Sequence, residues 1–559
     1  MSQSILPPVR IRYDDDPRTL AREIADDYSA HVVPDSARVP RWQLTMSAWS
    51  ILSAMVWLFY GALVASLYGT KDAIIGIAIA VVLYSVATPV YAGWAAKTGL
   101  SSALLSRRMF GVVGSALIAL LVAATTTYYT VFESSTLADA LHVYSGALTI
   151  RWWYLIVVVA IVPLTLGRVQ TWFAKLNSVL LPFFLAGIAA TVIATIAKKG
   201  AGTHPLLGPV GHPTGQLVNW LTFPGVVPAA ARPVPGWLLV VVLYLGLSLM
   251  LPVGIDFGRF SRAADVRFHK RLTLGFAFYL WTYGVNGVVG IYITQALLGV
   301  STVEDGVVQA SLDALGLAGL LFIVITQARI NSLNYYLSVL NWDRVLRVLT
   351  GRRLPRVAWV SLLSLVVFLL MLTNVFSYLQ TAMTWQGICM ISWVGIVATH
   401  MVGVPADRRE GPEFRATRLP AVTPAVAVWA AATALGIWLV QDTSAPAILT
   451  AMPAIVVFAV SVVLYAVILL VTKARRKTVK TVDARDLVDD PREARLTCDV
   501  CDRAYIALEM DLAGGRVVCD ECATKSRFTG SALRADAEVL PPVAAPDSGE
   551  PTVSGTVAG

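Results

Sequence analysis

The chain has 559 residues, 56% of them apolar and only 14% charged, with a formal net charge of +9. Soluble domains carry about 25% charged residues, so a soluble protein built around a large core is excluded. Residues 1–41 and 473–559 hold 41 of the 79 charged side chains, and the net positive charge arises wholly between them, which marks it as membrane-topology charge and excludes a nucleic-acid patch.

Residues 1–41 are polar and lack the apolar stretch of a signal peptide, so they read as a cytoplasmic N-terminal segment. Residues 42–472 form the membrane domain. A span needs about 20 largely apolar residues, and twelve segments qualify, near 44–68, 73–95, 110–138, 152–168, 176–197, 236–257, 272–298, 315–341, 357–374, 377–402, 423–440 and 447–472. The ninth and tenth run together around Asn374 and Ser377. Nineteen Lys and Arg lie in the loops after even-numbered spans, against five (Lys71, Arg151, Lys198, Lys199 and Arg232) after odd-numbered ones. The positive-inside rule then puts both termini in the cytoplasm of an integral plasma-membrane protein. A Gly- and Pro-rich outer loop, 199–235, divides ten spans into two sets of five, compatible with an inverted 5+5 repeat plus two helices.

Polar residues inside spans are expensive and mark sites. The first span offers Ser47, Ser50 and Ser53 along one side, beside Trp49, with no Gly or Pro before Gly61. In the third, Tyr128, Tyr129 and Phe132 precede Glu133. The rings suit stacking on a flat ligand or an interfacial belt. Glu133 reads as a proton carrier, as the partner of Arg329 or as a solvated residue near the outer interface. The sixth is interrupted at Gly246, Pro252 and Gly254, around Ser248, which frees backbone groups to bind a solute. Asp256 at its inner end is expected to pair with Arg259 or Arg262. Asn286 in the seventh span and Gln386 near the tenth are lesser candidates, and His400 is assigned no role.

The eighth span is the richest. At 100° per residue, Gln327, Asn331, Asn334 and Ser338 share one face, while Thr326, Arg329, Ser332 and Tyr336 share another, roughly opposite. Such a helix must be surrounded by protein or a cavity, either as a packing network or as a site in which Arg329 replaces a bound cation. No nucleophile–base constellation lies in the loops, so an enzyme is not expected.

After the last span, residues 473–530 carry Cys498-x2-Cys501 and Cys519-x2-Cys522, 17 residues apart. Two such knuckles match a tetrahedral four-cysteine zinc site, and a reducing cytoplasm disfavours disulfides. A redox pair is the alternative. The segment between has a Gly514-Gly515 turn and reads as a zinc-stabilised hairpin, a zinc-ribbon-like module suited to a cytoplasmic protein partner. Residues 531–559 are expected to be disordered. Cys389 is a small apolar residue of the tenth span.

Several segments resemble the nucleobase:cation symporter-1 family, the purine–cytosine permease-like transporters: Arg41-Trp-Gln-Leu-Thr45, Tyr68-Gly-Thr70, Ser106-Arg-Arg-Met-Phe-Gly-Val-Val-Gly-Ser115, Asp256-Phe-Gly-Arg-Phe260 and Asn331-Ser-Leu-Asn-Tyr-Tyr-Leu-Ser338. The likeness runs from about 27 to 472. It implies an all-α, leucine-transporter-like fold with substrate held between helices 1, 3, 6 and 8. It also implies alternating-access transport of a planar heterocycle of the purine, cytosine, allantoin or hydantoin class. Carried over, the third-span aromatics stack on the ring and Asn331 or Asn334 hydrogen-bonds its edge. Two departures stand out. Where sodium-coupled relatives place small hydroxyl residues before the Asn pair, this chain has Arg329-Ile330, which implies transport that is sodium-independent, coupled to protons through Glu133 or uncoupled. Leu247 stands in a region where some relatives carry a stacking Trp. A transporter-derived receptor, whose zinc tail signals to a partner, is the competing reading.

Overall fold

The computed structural model describes residues 17–25, 27–166, 174–199, 203–204, 208–209, 222–298, 303–352, 354–373, 379–442, 444–473, 483–513 and 516–523. The boundary between spans nine and ten at Asn374–Ser377, about half of the loop 199–235, the Gly514-Gly515 turn and the tail 531–559 lie outside these residues. Contacts divide the chain into two units. One comprises Glu23–Phe414 and Leu419–Arg475; the other comprises Met1–Arg22, Arg415–Arg418 and Arg476–Gly559.

The larger unit is helical. Among the described residues, seven helices are long and apolar enough to cross a membrane, and two bent pairs raise the number to nine. Three shorter apolar helices, Ile150–Thr165, Arg356–Met371 and Ala425–Gln441, lie at the three remaining positions expected. The first span is split into α1 (Arg41–Ala48) and α2 (Val56–Tyr68), followed by α3 (Thr70–Thr98). A short helix α4 (Ser102–Phe110) leads into the third span, α5 (Ala116–Ser145); α6 (Ile150–Leu166) and α7 (Ala174–Lys199) complete the first five. The sixth span is split into α8 (Gly236–Leu245) and α9 (Met250–Gly258). The seventh, 263–296, contains two π-helical turns and ends in α10 (Asn286–Leu298). Then come α11 (Val303–Leu315), the eighth span α12 (Leu317–Thr350), α13 (Arg356–Met371), α14 (Leu379–Gly403), a short α15 (Pro405–Glu410), α16 (Ala425–Gln441) and α17 (Pro453–Lys473).

Spans one and six, five apart, are bent by 42° and 44°. The sixth bends at the expected Gly246. The first bends too, which the lack of Gly or Pro did not suggest. Its cause is the serine repeat: Ser50 Oγ donates to the Ser47 carbonyl at 2.7 Å, and Ser53 Oγ donates to the Ser50 carbonyl at 2.6 Å. Side-chain hydroxyls that take carbonyls compete with the helical ladder. The chain passes through a 3-10 turn at Ile51–Ser53, becomes extended at Ala54 and restarts at Val56.

Glycine sets the closest packing. A Cβ on Gly61 would lie 2.3 Å from the Gly287 carbonyl oxygen, and one on Gly290 would lie 2.1 Å from that of Leu58, so α2 and α10 meet backbone to backbone. The eighth span is the most enclosed of the long helices together with the tenth, 67% of its apolar window being buried, against 22% for the fifth span. That agrees with its two polar faces, neither of which lipid would accept.

Candidate functional site

Breaking a helix inside the membrane strands backbone groups, and every one must find a partner. At the break in the first span the partners come from three other elements and from the span itself. Asn286 Nδ2 donates to the Leu52 carbonyl at 2.6 Å, and Trp57 Nε1 to that of Ile51 at 2.6 Å. The Met55 and Val56 amides, which begin α2, donate to the two carboxylate oxygens of Glu133, each at 3.2 Å. Gln327 Nε2 donates to the same carboxylate at 2.8 Å.

Glu133 therefore caps a helix N-terminus, where backbone amides and the helix dipole both favour negative charge. It is 1% exposed. That removes the reading of Glu133 as a solvated interfacial residue. Pairing with Arg329 is also corrected, because the carboxylate is filled from α2 and α12.

Arg329 leaves α12 on the opposite side. Its Nη2 donates to the Trp49 carbonyl at 2.9 Å, Nε to Ser53 Oγ at 3.1 Å and Nη1 to the Asn177 carbonyl of α7 at 3.0 Å. Its guanidinium carbon lies 5.8 Å from the Phe184 ring centroid. Among the described residues no carboxylate pairs with it; oxygen dipoles alone neutralise this buried charge. Asn177 was not singled out from sequence, and could not have been, since it contributes a main-chain oxygen.

Beside Glu133 lies a cavity walled by the first, third, sixth and eighth spans, with Ala54, Trp57, Tyr129, Glu133, Leu247 and Asn334 among its lining residues. It offers water about 30 Å³, room for a molecule or two. A heterocycle would enter only if side chains such as Tyr129 or Met250 shift. Gln386 Nε2 donates to the Tyr129 hydroxyl at 2.9 Å, which orients that ring. Two buried amide atoms of α12 have no hydrogen-bond partner, Asn331 Oδ1 and Asn334 Nδ2. Gln327 Oε1 receives Asn331 Nδ2 at 3.4 Å, and Ser338 Oγ donates to Thr126 Oγ1 at 2.8 Å, so this face of α12 addresses α5.

Of the residues singled out from sequence, Tyr129, Glu133, Leu247 and Asn334 line this cavity, and the others lie outside its lining. Trp49, Ser50 and Ser53 sit at the break of the first span, at the Arg329 end. Phe132 is buried edge-on against Phe59, centroids 5.4 Å apart. Tyr128 is half-buried, with its ring 6.4 Å from that of Tyr129. Gly246 packs on α14, where a Cβ on Gly387 would lie 2.4 Å from the Gly246 Cα. Ser248 Oγ donates to the Leu245 carbonyl and lies 3.4 Å from the Tyr84 hydroxyl. His400 bridges Tyr465 and Asp407 at 3.0 and 2.8 Å, joining α14, α15 and α17.

Asp256 corrects a further expectation. It pairs with Arg344 of α12 at 3.3 Å, and accepts the Ser102 amide and hydroxyl at 2.9 and 3.0 Å, while Arg259 and Arg262 are turned elsewhere. Arg259 donates to the Tyr28 and Asp27 carbonyls at 2.7 and 2.9 Å, and Arg262 to that of Arg38 at 3.2 Å. Arg259 is as buried as Arg344, but its guanidinium is spent on main-chain carbonyls, that of Asp256 included at 3.3 Å, which leaves the Asp256 carboxylate to the arginine of the neighbouring helix.

In the smaller unit, β1 (Arg495–Thr497) pairs with β2 (Ala504–Ile506), and β3 (Met510–Ala513) with β4 (Arg516–Cys519), both antiparallel; α18 (Asp520–Ala523) follows. The four sulfurs of Cys498, Cys501, Cys519 and Cys522 lie within 4.8 Å of one another. A tetrahedron with metal–sulfur arms of about 2.3 Å has edges of about 3.8 Å, and Cys501 and Cys519 Sγ are 3.8 Å apart. The Cys519 amide donates to Cys498 Sγ at 3.3 Å, and hydrogen bonding from Cys519 holds the Cys498 thiol below its ordinary value. This donor set fits a metal ion.

No protein-family model matches the sequence, and no curated protein matches it. Solved structures do. Mhp1 in an inward-facing conformation is similar over 79% of this chain and 93% of its own, at 16% identity and a TM-score of 0.59. Mhp1, described as a nucleobase-cation-symport-1 family transporter, in a closed conformation with bromovinylhydantoin bound, covers 79% and 95% at 15% identity and a TM-score of 0.56. A Na+-coupled sialic acid symporter in an outward-open state covers 81% and 95% at 11% identity and a TM-score of 0.54. The chain has the fold of these transporters, the leucine-transporter-like plan of two inverted sets of five helices plus two, with the first helix of each set broken.

Proposed function

We propose that this chain is a secondary transporter of the nucleobase:cation symporter-1 kind that moves an uncharged planar heterocycle without sodium. The observation that carries the proposal is the Arg329 guanidinium on the Trp49 carbonyl and the Ser53 hydroxyl. Unwound carbonyls of broken helices are the oxygens that coordinate a coupling cation in such folds. Here a tethered cation already holds them. Glu133 fills the anion-favouring N-terminus of α2 in the same way, so the substrate itself need carry neither charge.

What remains for the substrate is a largely apolar cavity lined by the Trp57 and Tyr129 rings, with one unspent amide donor on its wall, Asn334 Nδ2, and an unspent acceptor about one turn before it on the same helix, Asn331 Oδ1. A cyclic amide edge, with N–H beside C=O, complements that pair, and Tyr129 is placed to stack on its plane. Oxopurines such as hypoxanthine, the oxopyrimidines cytosine and uracil, hydantoins and allantoin all carry such an edge. The hydantoin bound to Mhp1 supports the class. The basic loops support cytoplasmic termini in a plasma-membrane protein, with residues 42–472 as the transporter. The four cysteines would hold a structural zinc, which supplies a fixed tetrahedral crosslink.

Radiolabelled uptake into proteoliposomes tests this, using cytosine, uracil, hypoxanthine, hydantoin and allantoin, each with and without sodium and a pH gradient. Uptake of at least one is expected in sodium-free buffer, and Asn334→Ala should lower it by roughly 10- to 100-fold, the cost of one lost buried hydrogen bond of about 1–3 kcal/mol. A dependence on the pH gradient that vanishes in Glu133→Gln would identify Glu133 as proton carrier. Strict sodium dependence would overturn the reading, and tight binding without uptake would favour a receptor.

A further inference from the structure

We infer that the C-terminal unit is a docking site for a short basic peptide, and that its occupant is the chain's own Arg415–Arg418, gripped only while the four cysteines hold their metal. These four residues, Arg-Ala-Thr-Arg, lie in the stretch between α15 and α16 yet belong to the same compact unit as the cysteines.

The segment is read at every residue. Asp483 accepts Arg415 Nη1 at 2.7 Å and Nη2 at 2.9 Å. Asp511 accepts Arg418 Nε at 2.6 Å and Nη2 at 2.7 Å, and also the Thr417 hydroxyl at 2.6 Å. The Ala416 amide donates to Asp520 at 2.9 Å, and Arg415 Nη1 to the Met510 carbonyl at 3.0 Å. Two bidentate pairings of carboxylate with guanidinium, end-on at Arg415 and side-on at Arg418, fix orientation as well as charge, which lysines could not do. Both Arg415 and Asp511 side chains are 1% exposed. Burial pushes the Asp483 carboxyl up, but hydrogen bonding and charge from Arg415, with charge from Arg485, outweigh it and hold that group down to about 2. Paired charges buried this fully are matched partners, since either one alone would be strongly destabilising.

The grip depends on the metal through the strands. Asp511 and Met510 lie on β3, whose partner β4 ends at Cys519, with Met510 opposite Cys519 and Asp511 opposite Val518. Asp520 follows Cys519 directly. The core beneath is small, Leu496, Tyr505, Met510, Leu512 and Val517 packed with Cys498 and Cys519. A core of that size does not hold a fold without a crosslink, so removing the metal releases the strands that present Asp511 and Asp520. Linkage makes the coupling reciprocal: the docked segment must tighten metal binding by the same factor.

The test uses the full chain in lipid nanodiscs with zinc bound. Hydrogen exchange should show the Ala416 amide protected, with protection falling by roughly tenfold or more on chelation and returning when zinc is restored. Asp511→Asn should lose the same protection with zinc present. In the reciprocal arm, Arg415→Ala/Arg418→Ala leaves the cysteines and strands unaltered and should weaken zinc binding by roughly tenfold in competition with a chromophoric chelator, with Arg418→Lys only partly restoring it. Unchanged exchange at Ala416 after chelation, or unchanged zinc affinity in the double variant, would overturn the inference. Neither readout involves transport, so the result is independent of the function proposed above.

Discussion

Arg329→Ala is expected to reduce transport by about two orders of magnitude or more while the protein still inserts and is purified in normal yield. The substitution strands the Trp49 and Asn177 carbonyls and Ser53 Oγ, the three groups to which Arg329 donates. A buried acceptor left without its donor costs about 1–3 kcal/mol, so the broken first span loses several kcal/mol of the scaffolding that holds its halves at 42°. Arg329→Lys keeps the charge but not the planar fork that reaches two helices at once, and should recover only part of the activity. Arg329→Ser is the informative variant. It leaves three oxygen acceptors beside a new hydroxyl, so sodium should stimulate its transport or raise its melting temperature, while leaving the parent protein unaffected. Uptake by Arg329→Ala within twofold of the parent would sink the idea that the guanidinium replaces a coupling cation.

Glu133→Ala should be the more destructive change. Three donors converge on this carboxylate, the amides of Met55 and Val56 and the side chain of Gln327. Removing it leaves them buried without an acceptor, and breaking such a charge-assisted network costs about 3–5 kcal/mol, enough to lower the melting temperature of the purified protein by many degrees and abolish substrate binding. Glu133→Gln retains the shape but places an amide NH2 against at least one donor. It should fold with an intermediate melting temperature. Wild-type melting in Glu133→Ala would show that the helix break does not rely on this cap.

The positions of the twelve apolar segments were readable because hydropathy and loop charge are independent signals whose totals agreed, nineteen basic residues in one set of loops against five in the other. The polar faces of the eighth span were readable because helical periodicity is rigid. The break at Ser50–Met55 was not, because it depends on serine hydroxyls taking carbonyls every third residue, a pattern that a straight helix also tolerates. The two sides of Arg329 and Glu133 were hidden for a related reason. Their partners are main-chain atoms on other helices, which any residue type could supply. Asp256 was assigned to its sequence neighbours, whereas packing brought Arg344 from 88 residues away. The cysteines stood out by spacing alone. Arg415 and Arg418, by contrast, were absorbed into a count of topology charges, and nothing in their neighbourhood hinted that Asp483 and Asp511 were waiting for them.

The glycine seam between α2 and α10 constrains how this fold can move. With backbones in contact at Gly61, Gly287 and Gly290, the two helices cannot slide or splay without opening a void along their whole shared length. They turn together, as a single beam. Bending within the first span is therefore expected at its break, in the half-dozen residues from Ser50 to Met55, where the Glu133 carboxylate caps the beam.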